Sequence, residues 1–541
     1  MTASAADAGD VLEDGAELAQ GPPRSVARAA AGMGLATAVS RVVGALRVLV
    51  IASVLGATVL GNVFQSSNAL STVLFELLAA GALSAVLVPS FVELLDRGDQ
   101  RAAEHLAGGV LGRALLGLGV VSLVGVLAAP ALAALLTTFV EDPAVAEDAQ
   151  ELSTFLLRFF VPQLVLYAVG AVATAVLHAR RVFAVPAAAP IGNTVVIVAC
   201  LLAFRAAAGA DPGLDLPLGQ RLLLAAAGTL GVAAFVAIPA VALRASGFRL
   251  RPRLARGDAA VRRAMALSGW GALQHAGAAL LLLAAIVAGG KVEGGVIAYQ
   301  VAFFVFLGPY AIVAQPLHTA ILPRLSGEAA RGDHEAMAQS VRWGLGAMAV
   351  WLLPVTAALV GLAAPAVRLI SFGAASEGDG LDLMAAGVAT FGVGLLAYGA
   401  FLLLTRAWYA LGDTRTPAVA ALVSAALGSV AMLVAAEMTT GTALLAALGL
   451  AHSAAFTLGA LHLGIALRRR LGASLVPARM GRSLLVAAAV GTLAWAAVSA
   501  WDPDGRVATA AALLAVGAIG ALCYVAAVRR LGALPPPLPA A

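Results

Sequence analysis

The sequence predicts an all-α, polytopic membrane protein with fourteen transmembrane helices. Three observations support this fold class. Of the 541 residues, 61% are hydrophobic and 12% are charged, whereas a soluble protein carries ~25% charged residues. The mean hydropathy is +0.95. Apolar runs long enough to cross a bilayer, such as residues 114–136, recur to the end of the chain.

The apolar runs define fourteen spans, and an even number places both termini on the same side of the membrane. The spans cover residues 31–57, 61–93, 106–137, 152–177, 184–205, 219–243, 262–289, 294–322, 343–370, 383–410, 416–437, 441–467, 482–501 and 507–528. We expect an acidic, disordered tail over residues 1–27 instead of a secretory signal, because no basic segment precedes the first apolar run at the right distance.

Basic residues alternate between the loops on the two sides. One set of loops, together with the termini, holds 24 of the 34 basic residues, whereas the opposite loops hold four. The opposite loops also carry acidic stretches such as residues 140–151 and 376–382. The positive-inside rule therefore places both termini in the cytoplasm. The basic balance is then a topology signal, and it gives no reason to expect a nucleic-acid partner.

Internal repeats predict two lobes. Residues 82–99 resemble residues 317–333, and residues 175–190 resemble residues 407–422. Both members of each pair fall on the predicted cytoplasmic side, so the repeats are parallel and the lobes are related by a pseudo-twofold axis along the membrane normal. The predicted regions are a tail (1–27), an N-lobe with spans one to six (28–243), a C-lobe with spans seven to twelve (244–467), two extra spans (468–530) and a cytoplasmic tail (531–541). Two such lobes around a cavity are typical of a transporter.

Polar residues lie on one face of the second span: Asn62, Gln65, Asn68, Thr72 and Glu76. On a helix with ~100° per residue they fall within an arc of ~120°. A carboxylate inside the membrane is costly, so this stripe is expected to face a cavity or a partner instead of lipid. We predict that it lines a transport cavity. The alternative is that it hydrogen-bonds to neighbouring helices.

Two arginines, Arg41 and Arg47, interrupt the first span within the segment SRVVGALR. Helix geometry separates them by ~9 Å along the axis and ~120° around it. They can therefore edge a wide cavity at two depths. The alternative for Arg41 is that its long side chain extends to lipid headgroups, whereas Arg47 lies deeper in the span.

Five segments stand in an order known from one family. They are SRVVGALRVLVIASVLGA (40–57), GALSAVLVPSF (81–91), ARRVFAVPAAAPIGN (179–193), GPYAIVAQPLHTAILPRLS (308–326) and RAWYALGDTRTP (406–417). The chain thereby resembles the MurJ/MviN family of lipid II flippases in the MOP superfamily, and its actinobacterial members in particular, over about residues 30–530. It departs from many members at Asn62, where they have aspartate, and at Phe75 or Glu76 and Phe304, where they have arginine.

The resemblance implies an alternating-access flippase with a V-shaped cavity between two lobes in the bacterial cytoplasmic membrane. Its cargo would be lipid II, an undecaprenyl-pyrophosphate-linked disaccharide-pentapeptide that moves from the inner to the outer leaflet for peptidoglycan synthesis. Arg41 and Arg47 would hold the pyrophosphate, because a guanidinium pairs with phosphate oxygens in a bidentate way. Membrane lipids and cell-wall synthesis proteins are expected as further partners. Gating or structural roles are expected for Gly44, Pro309, Pro316, Asp413 and Arg415.

Two other functions stay open from the sequence. One is a MOP-type exporter of another polyprenyl-linked saccharide or a drug, and the other is a scaffold for cell-wall synthesis that transports nothing. The sequence carries no Walker loop and no plausible metal cluster. We therefore expect a transporter without a catalytic site, a cofactor or a metal.

Overall fold

The computed structural model describes residues 39–40, 42–44, 46–77, 87–209, 212–254, 269–376 and 379–534, and all regular secondary structure within these ranges is helical. The first half of the chain forms α1 (Val42–Leu55, with residue 45 outside the described ranges), α2 (Val59–Phe75), α3 (Leu87–Asp96), α4 (Gln100–Leu127), α5 (Ala129–Leu136), α6 (Pro143–Phe160), α7 (Gln163–Ala179), α8 (Ala184–Ala208) and α9 (Leu218–Ala245).

The second half forms α10 (Gly269–Gly289), α11 (Gly295–Pro309), α12 (Gln315–Ala330), α13 (His334–Gly361), α14 (Ala363–Ile370), α15 (Gly380–Val393), α16 (Leu395–Ala410), α17 (Arg415–Met438) and α18 (Gly441–Leu471). A last pair follows, α19 (Met480–Trp501) and α20 (Gly505–Arg530).

Every predicted span overlaps at least one of these helices. Among the described residues, ten helices are long and apolar enough to cross a membrane, or eleven when the bent pair α15–α16 counts as one span. The first predicted span contains the shorter apolar helix α1, and the seventh contains the shorter apolar part of α10, His275–Gly289. The second overlaps α2 and α3. The all-helical membrane architecture is confirmed, and the helices are consistent with fourteen spans.

The eighth predicted span is broken where the sequence places prolines. α11 ends at Pro309, a π-helical turn over Tyr310–Ala314 follows, and Pro316 lies in the first turn of α12. Proline has no N–H group to donate to the preceding turn, so the regular hydrogen-bond ladder is interrupted and the winding changes. The two prolines thus mark a local discontinuity within this span.

Packing groups the helices along the chain. In the first half α8 packs against α9, and α7 contacts both α4 and α9. In the second half α10 packs against α17, while α18 contacts α15, α16 and α17. These groups follow the predicted lobes, whose boundaries stay a prediction.

The last two helices form a peripheral pair. α19 packs against α13, and α20 packs against α19, around a small core that includes Val350, Ala487 and Val528. Large apolar side chains such as Leu485 and Leu514 are exposed on the opposite faces. In a membrane protein such faces meet lipid, because the hydrocarbon core is as apolar as they are.

Residues after α9 cross the beginning of α4 at two glycines. The Arg253 N–H donates to the Gly108 carbonyl oxygen over 2.9 Å. A Cβ atom at Gly108 or Gly112 would overlap the carbonyl oxygen of Arg251 or Arg253. The two glycines therefore allow residues 251–253 to lie directly on the backbone of α4.

Candidate functional site

Arg47 lies on α1 and is half-buried. Its Nε atom is out of contact with solvent and has no hydrogen-bond partner among the residues that the structure describes. Leaving a buried donor of a charged group unpaired costs free energy. The other predicted arginine, Arg41, lies outside the described residues, so Arg47 is the one arginine of the SRVVGALR motif that the structure describes.

Tyr167 of α7 joins Arg47 to the polar stripe of α2. Its hydroxyl group hydrogen-bonds with the Thr72 side chain, and it interacts electrostatically with both Arg47 and Glu76. Its ring lies 5.0 Å from the Phe75 ring, centroid to centroid. The structure thus brings a cation, a carboxylate, a phenol and a hydroxyl together at this end of α2.

Tyr167 and its neighbour on α7, Gln163, are not among the site residues predicted from the sequence. Gln163 accepts a hydrogen bond from the Ser71 hydroxyl group (3.2 Å) and donates to the Thr229 hydroxyl oxygen (3.3 Å). The available signal was one tyrosine and one glutamine within the otherwise apolar segment QLVLYAVG. Nothing in that segment shows which helix it faces.

The middle of the stripe is more enclosed. Gln65 is buried, and its Oε1 atom has no hydrogen-bond partner among the described residues. Asn68, Thr72 and Glu76 are half-buried. The predicted stripe therefore becomes more open from Gln65 towards Glu76, on the face that approaches Arg47 and Tyr167.

Asn62, at the other end of the stripe, connects the two halves of the chain. Its Nδ2 atom donates to the Val292 carbonyl oxygen (2.8 Å), and its Oδ1 atom accepts from the Val296 N–H (2.9 Å). Asn62 is 5% exposed. Both ends of its amide are thus engaged by the backbone before and at the start of α11.

Further contacts between the halves lie at the same end of the molecule. Lys291 forms an ion pair with Glu141 over 3.2 Å. Gly294 has φ +70° and packs against Ala57 so closely that a Cβ atom there would overlap it. By the charge pattern of the loops, this end is predicted to face away from the cytoplasm. We call these contacts, Asn62–Val292/Val296, Glu141–Lys291 and Ala57–Gly294, the outer contact.

Apart from Gly44, the residues expected to gate or support the site lie far from Arg47 in sequence and outside α1. Gly44 lies on α1 with open space where a Cβ atom would stand. Asp413 precedes α17 and accepts hydrogen bonds from the Thr416 N–H (2.9 Å) and hydroxyl group (2.7 Å). Arg415 is the first residue of α17. Their predicted roles stay predictions.

Electrostatics around Asp413 favour its charged form. Burial by itself raises the pKa of the carboxyl group, but the hydrogen bonds from Thr416 and from the Arg415 N–H outweigh it, and Arg470 adds an attractive charge. The pKa of Asp413 is therefore below its usual value. This carboxylate anchors the start of α17.

Known proteins match this chain along most of its length. A family model described as lipid II flippase MurJ matches residues 51–515. The probable lipid II flippase MurJ of Rhizobium tropici is 26% identical over 445 residues, which cover 81% of this chain and 80% of the relative. That of Haemophilus influenzae is 29% identical over 406 residues (70% and 75%). The lipid II flippase MurJ of Burkholderia cenocepacia is 25% identical over 387 residues (70% and 72%).

Solved structures share the fold. A lipid II flippase MurJ in an inward closed conformation superposes with a TM-score of 0.73 at 16% identity, covering 92% of this chain and 99% of that one. An inward-facing multidrug resistance MATE family transporter of the MOP superfamily superposes with a TM-score of 0.62 at 14% identity (80% and 94%). The chain therefore shares its fold with these two structures, and the family model, which spans most of the sequence, shows that the chain belongs to the lipid II flippase MurJ family.

Proposed function

We propose that this protein moves lipid II from the inner to the outer leaflet of the cytoplasmic membrane by alternating access, and that it performs no covalent chemistry. The observation that carries the proposal is Arg47. Its buried Nε atom lacks a partner among the described residues, and it lies beside Tyr167, which hydrogen-bonds with Thr72. An anion that enters this site relieves the unpaired donor.

A pyrophosphate is a suitable anion for this site. Guanidinium and phosphate form paired, charge-assisted hydrogen bonds, which are about twice as strong as neutral ones. Attraction also increases in a cavity with a lower effective dielectric constant than water. Arg47 would bind the pyrophosphate, with Arg41 as a second predicted ligand. Glu76 would repel phosphate, and we assign it to N–H and O–H donors of the saccharide-peptide headgroup.

The outer contact supports a state that is closed to the outside. Asn62, Lys291 and Gly294 connect the halves at the end predicted to be extracytoplasmic. In this state cargo would enter from the cytoplasmic side, where the loops rich in arginine and both termini are predicted to lie. Release to the outer leaflet then requires that the outer contact opens.

Complementation of flippase-depleted cells tests this function. We expect Arg47→Ala to fail to restore growth and to leave lipid II on the cytoplasmic leaflet. Arg97→Ala is the matched control, because Arg97 pairs with Glu93 on the surface with 70% and 62% of the side chains exposed. Normal outer-leaflet lipid II in cells with well-expressed Arg47→Ala would contradict the proposal. A scaffold that recruits cell-wall synthesis proteins and transports nothing would tolerate both changes.

A further inference from the structure

A pocket lies away from α1, α2 and the outer contact. It has a volume of about 370 Å³ and forms where the beginning of α13, the linker before α19 and the turn after α20 meet. Its wall is partly apolar, with Trp343, Pro477 and Met480, and two arginines line it, Arg342 and Arg479. The pocket therefore combines two cationic side chains with an apolar wall.

Hydrogen bonds fix the segments that surround this pocket. Arg342 donates through Nε to the Ser474 carbonyl oxygen (2.9 Å), which ties α13 to the linker. Arg482 donates to the Leu531 carbonyl oxygen (3.1 Å), which ties α19 to the end of α20. Ala533 is buried in the core that these helices share. The pocket is thus built from three segments that are held in place independently of any ligand.

The local charge favours an anion. Among the described residues that line the pocket, none is acidic. The nearest acidic side chain along α13 is Glu335, which approaches Gln339 at 3.5 Å. Further arginines lie close in sequence on the same elements: Arg482, Arg529 and Arg530. The first turn of α19, which has no side-chain cap, adds the positive end of a helix dipole.

The position of the pocket favours a lipid. α19 and α20 expose apolar faces, whereas the arginines at their ends require water or headgroups. Tryptophan is enriched at this boundary between hydrocarbon and headgroups. Basic pockets between transmembrane helices at this level are suited to anionic headgroups. A free phosphate ion would leave the apolar wall formed by Trp343, Pro477 and Met480 without a contact.

We propose that this pocket binds an anionic glycerophospholipid, with the phosphodiester between Arg342 and Arg479 and the start of an acyl chain against Trp343 and Met480. The lipid bridges α13, α19 and α20, and it stabilises the attachment of the peripheral pair to the rest of the protein. The site is separate from the one proposed for lipid II, so the two proposals can fail independently.

Native mass spectrometry of the full chain in detergent tests the site with phosphatidylglycerol as the probe. We expect Arg342→Gln and Arg479→Gln each to weaken binding roughly 5-fold, since a basic residue near an anionic membrane surface contributes about that factor. Arg97→Gln with Arg101→Gln is the control pair, because both residues are exposed and lie on the first half of the chain. Equal loss in the control pair would contradict a specific site.

A second variant keeps the test informative if the arginine variants fold poorly. Ala478 is exposed and lines the pocket, so Ala478→Glu adds a negative charge at little structural cost and should also weaken phosphatidylglycerol binding. Phosphatidylcholine and inorganic phosphate are expected to bind more weakly than phosphatidylglycerol. The proposal is overturned if either binds equally well, if undecaprenyl phosphate is preferred, or if Ala478→Glu binds phosphatidylglycerol as the unmodified chain does.

Discussion

The two ends of the α2 polar stripe both carry polar residues, but they differ in burial and in hydrogen bonding. At one end, the Asn62 amide is buried and both of its polar atoms bond to the backbone of the other half. At the other end, Thr72 and Glu76 are half-buried near Tyr167. Arg47 lies close by, and its Nε atom has no hydrogen-bond partner among the described residues. A satisfied polar group stabilises one conformation, whereas an unsatisfied one is available for a ligand. The stripe therefore divides into a contact between the halves and the surface that we propose for binding.

The largest expected effect is a difference in lipid II affinity between variants at the two ends of the stripe. Arg47→Ala should weaken lipid II binding by on the order of 10- to 100-fold, since a hydrogen bond to a charged group contributes ~1.5–3 kcal/mol. Asn62→Ala should change affinity far less. Binding of lipid II to purified variants measures this. Equal losses in the two variants would show that the stripe is one continuous site.

A second prediction addresses conformation. Asn62→Ala removes two neutral hydrogen bonds of ~0.5–1.5 kcal/mol each, so the outward-open population should rise several-fold or more. In a chain with Glu141→Cys and Lys291→Cys, and with Cys200 and Cys523 replaced, the two new cysteines should cross-link. Adding Asn62→Ala should reduce this cross-linking. The comparison is the same double-cysteine chain with Arg47→Ala and with Asn62 unchanged. Undiminished cross-linking would show that the hydrogen bonds of Asn62 do not stabilise the closed outer contact.

A smaller effect is expected from the ion pair. Glu141 is 76% exposed, and exposed pairs contribute ~0–1 kcal/mol. Glu141→Gln should therefore shift the conformational balance less than Asn62→Ala, and added salt should reduce its effect. Lys291→Met should act more strongly than Glu141→Gln, because Lys291 also donates to the Ala436 carbonyl oxygen over 2.8 Å. Spin-label distances across the outer contact, at low and high salt, measure both changes.

The smallest expected effect is on the free energy of unfolding, from Asp413, which lies away from both ends of the α2 stripe. Because the folded-state pKa of Asp413 is lowered, its stabilisation is present above the unfolded-state pKa and is lost as the pH falls through the folded-state pKa. Asp413→Asn should cost less than the ~1 kcal/mol of a lost helix cap at neutral pH, because asparagine still offers an acceptor oxygen to Thr416 but lacks the charge, and the difference should vanish in acid. Thermal unfolding against pH measures it. A change in cross-linking at the outer contact would instead indicate a gating role for Asp413.

The fold followed from the sequence because bilayer crossing imposes a length and an apolarity that each segment shows by itself. The breaks at Pro309 and Pro316 were likewise readable, since proline acts on its own helix. The contacts of Asn62 with Val292 and Val296 were not readable, because they join residues more than 200 positions apart. Tyr167 was missed for the same reason: its role depends on which helix α7 faces.

Residues 251–253, which pack on Gly108 and Gly112, affect where the connection between the two halves begins. Since residues 251–253 lie on α4, they belong mechanically to the first half, although the sequence places the second lobe from residue 244. The covalent joint between the halves therefore starts after this segment instead of at the end of α9. In the proposed cycle, a pull from the second half on residues 251–253 would therefore act on α4, at the predicted cytoplasmic end and opposite to the outer contact.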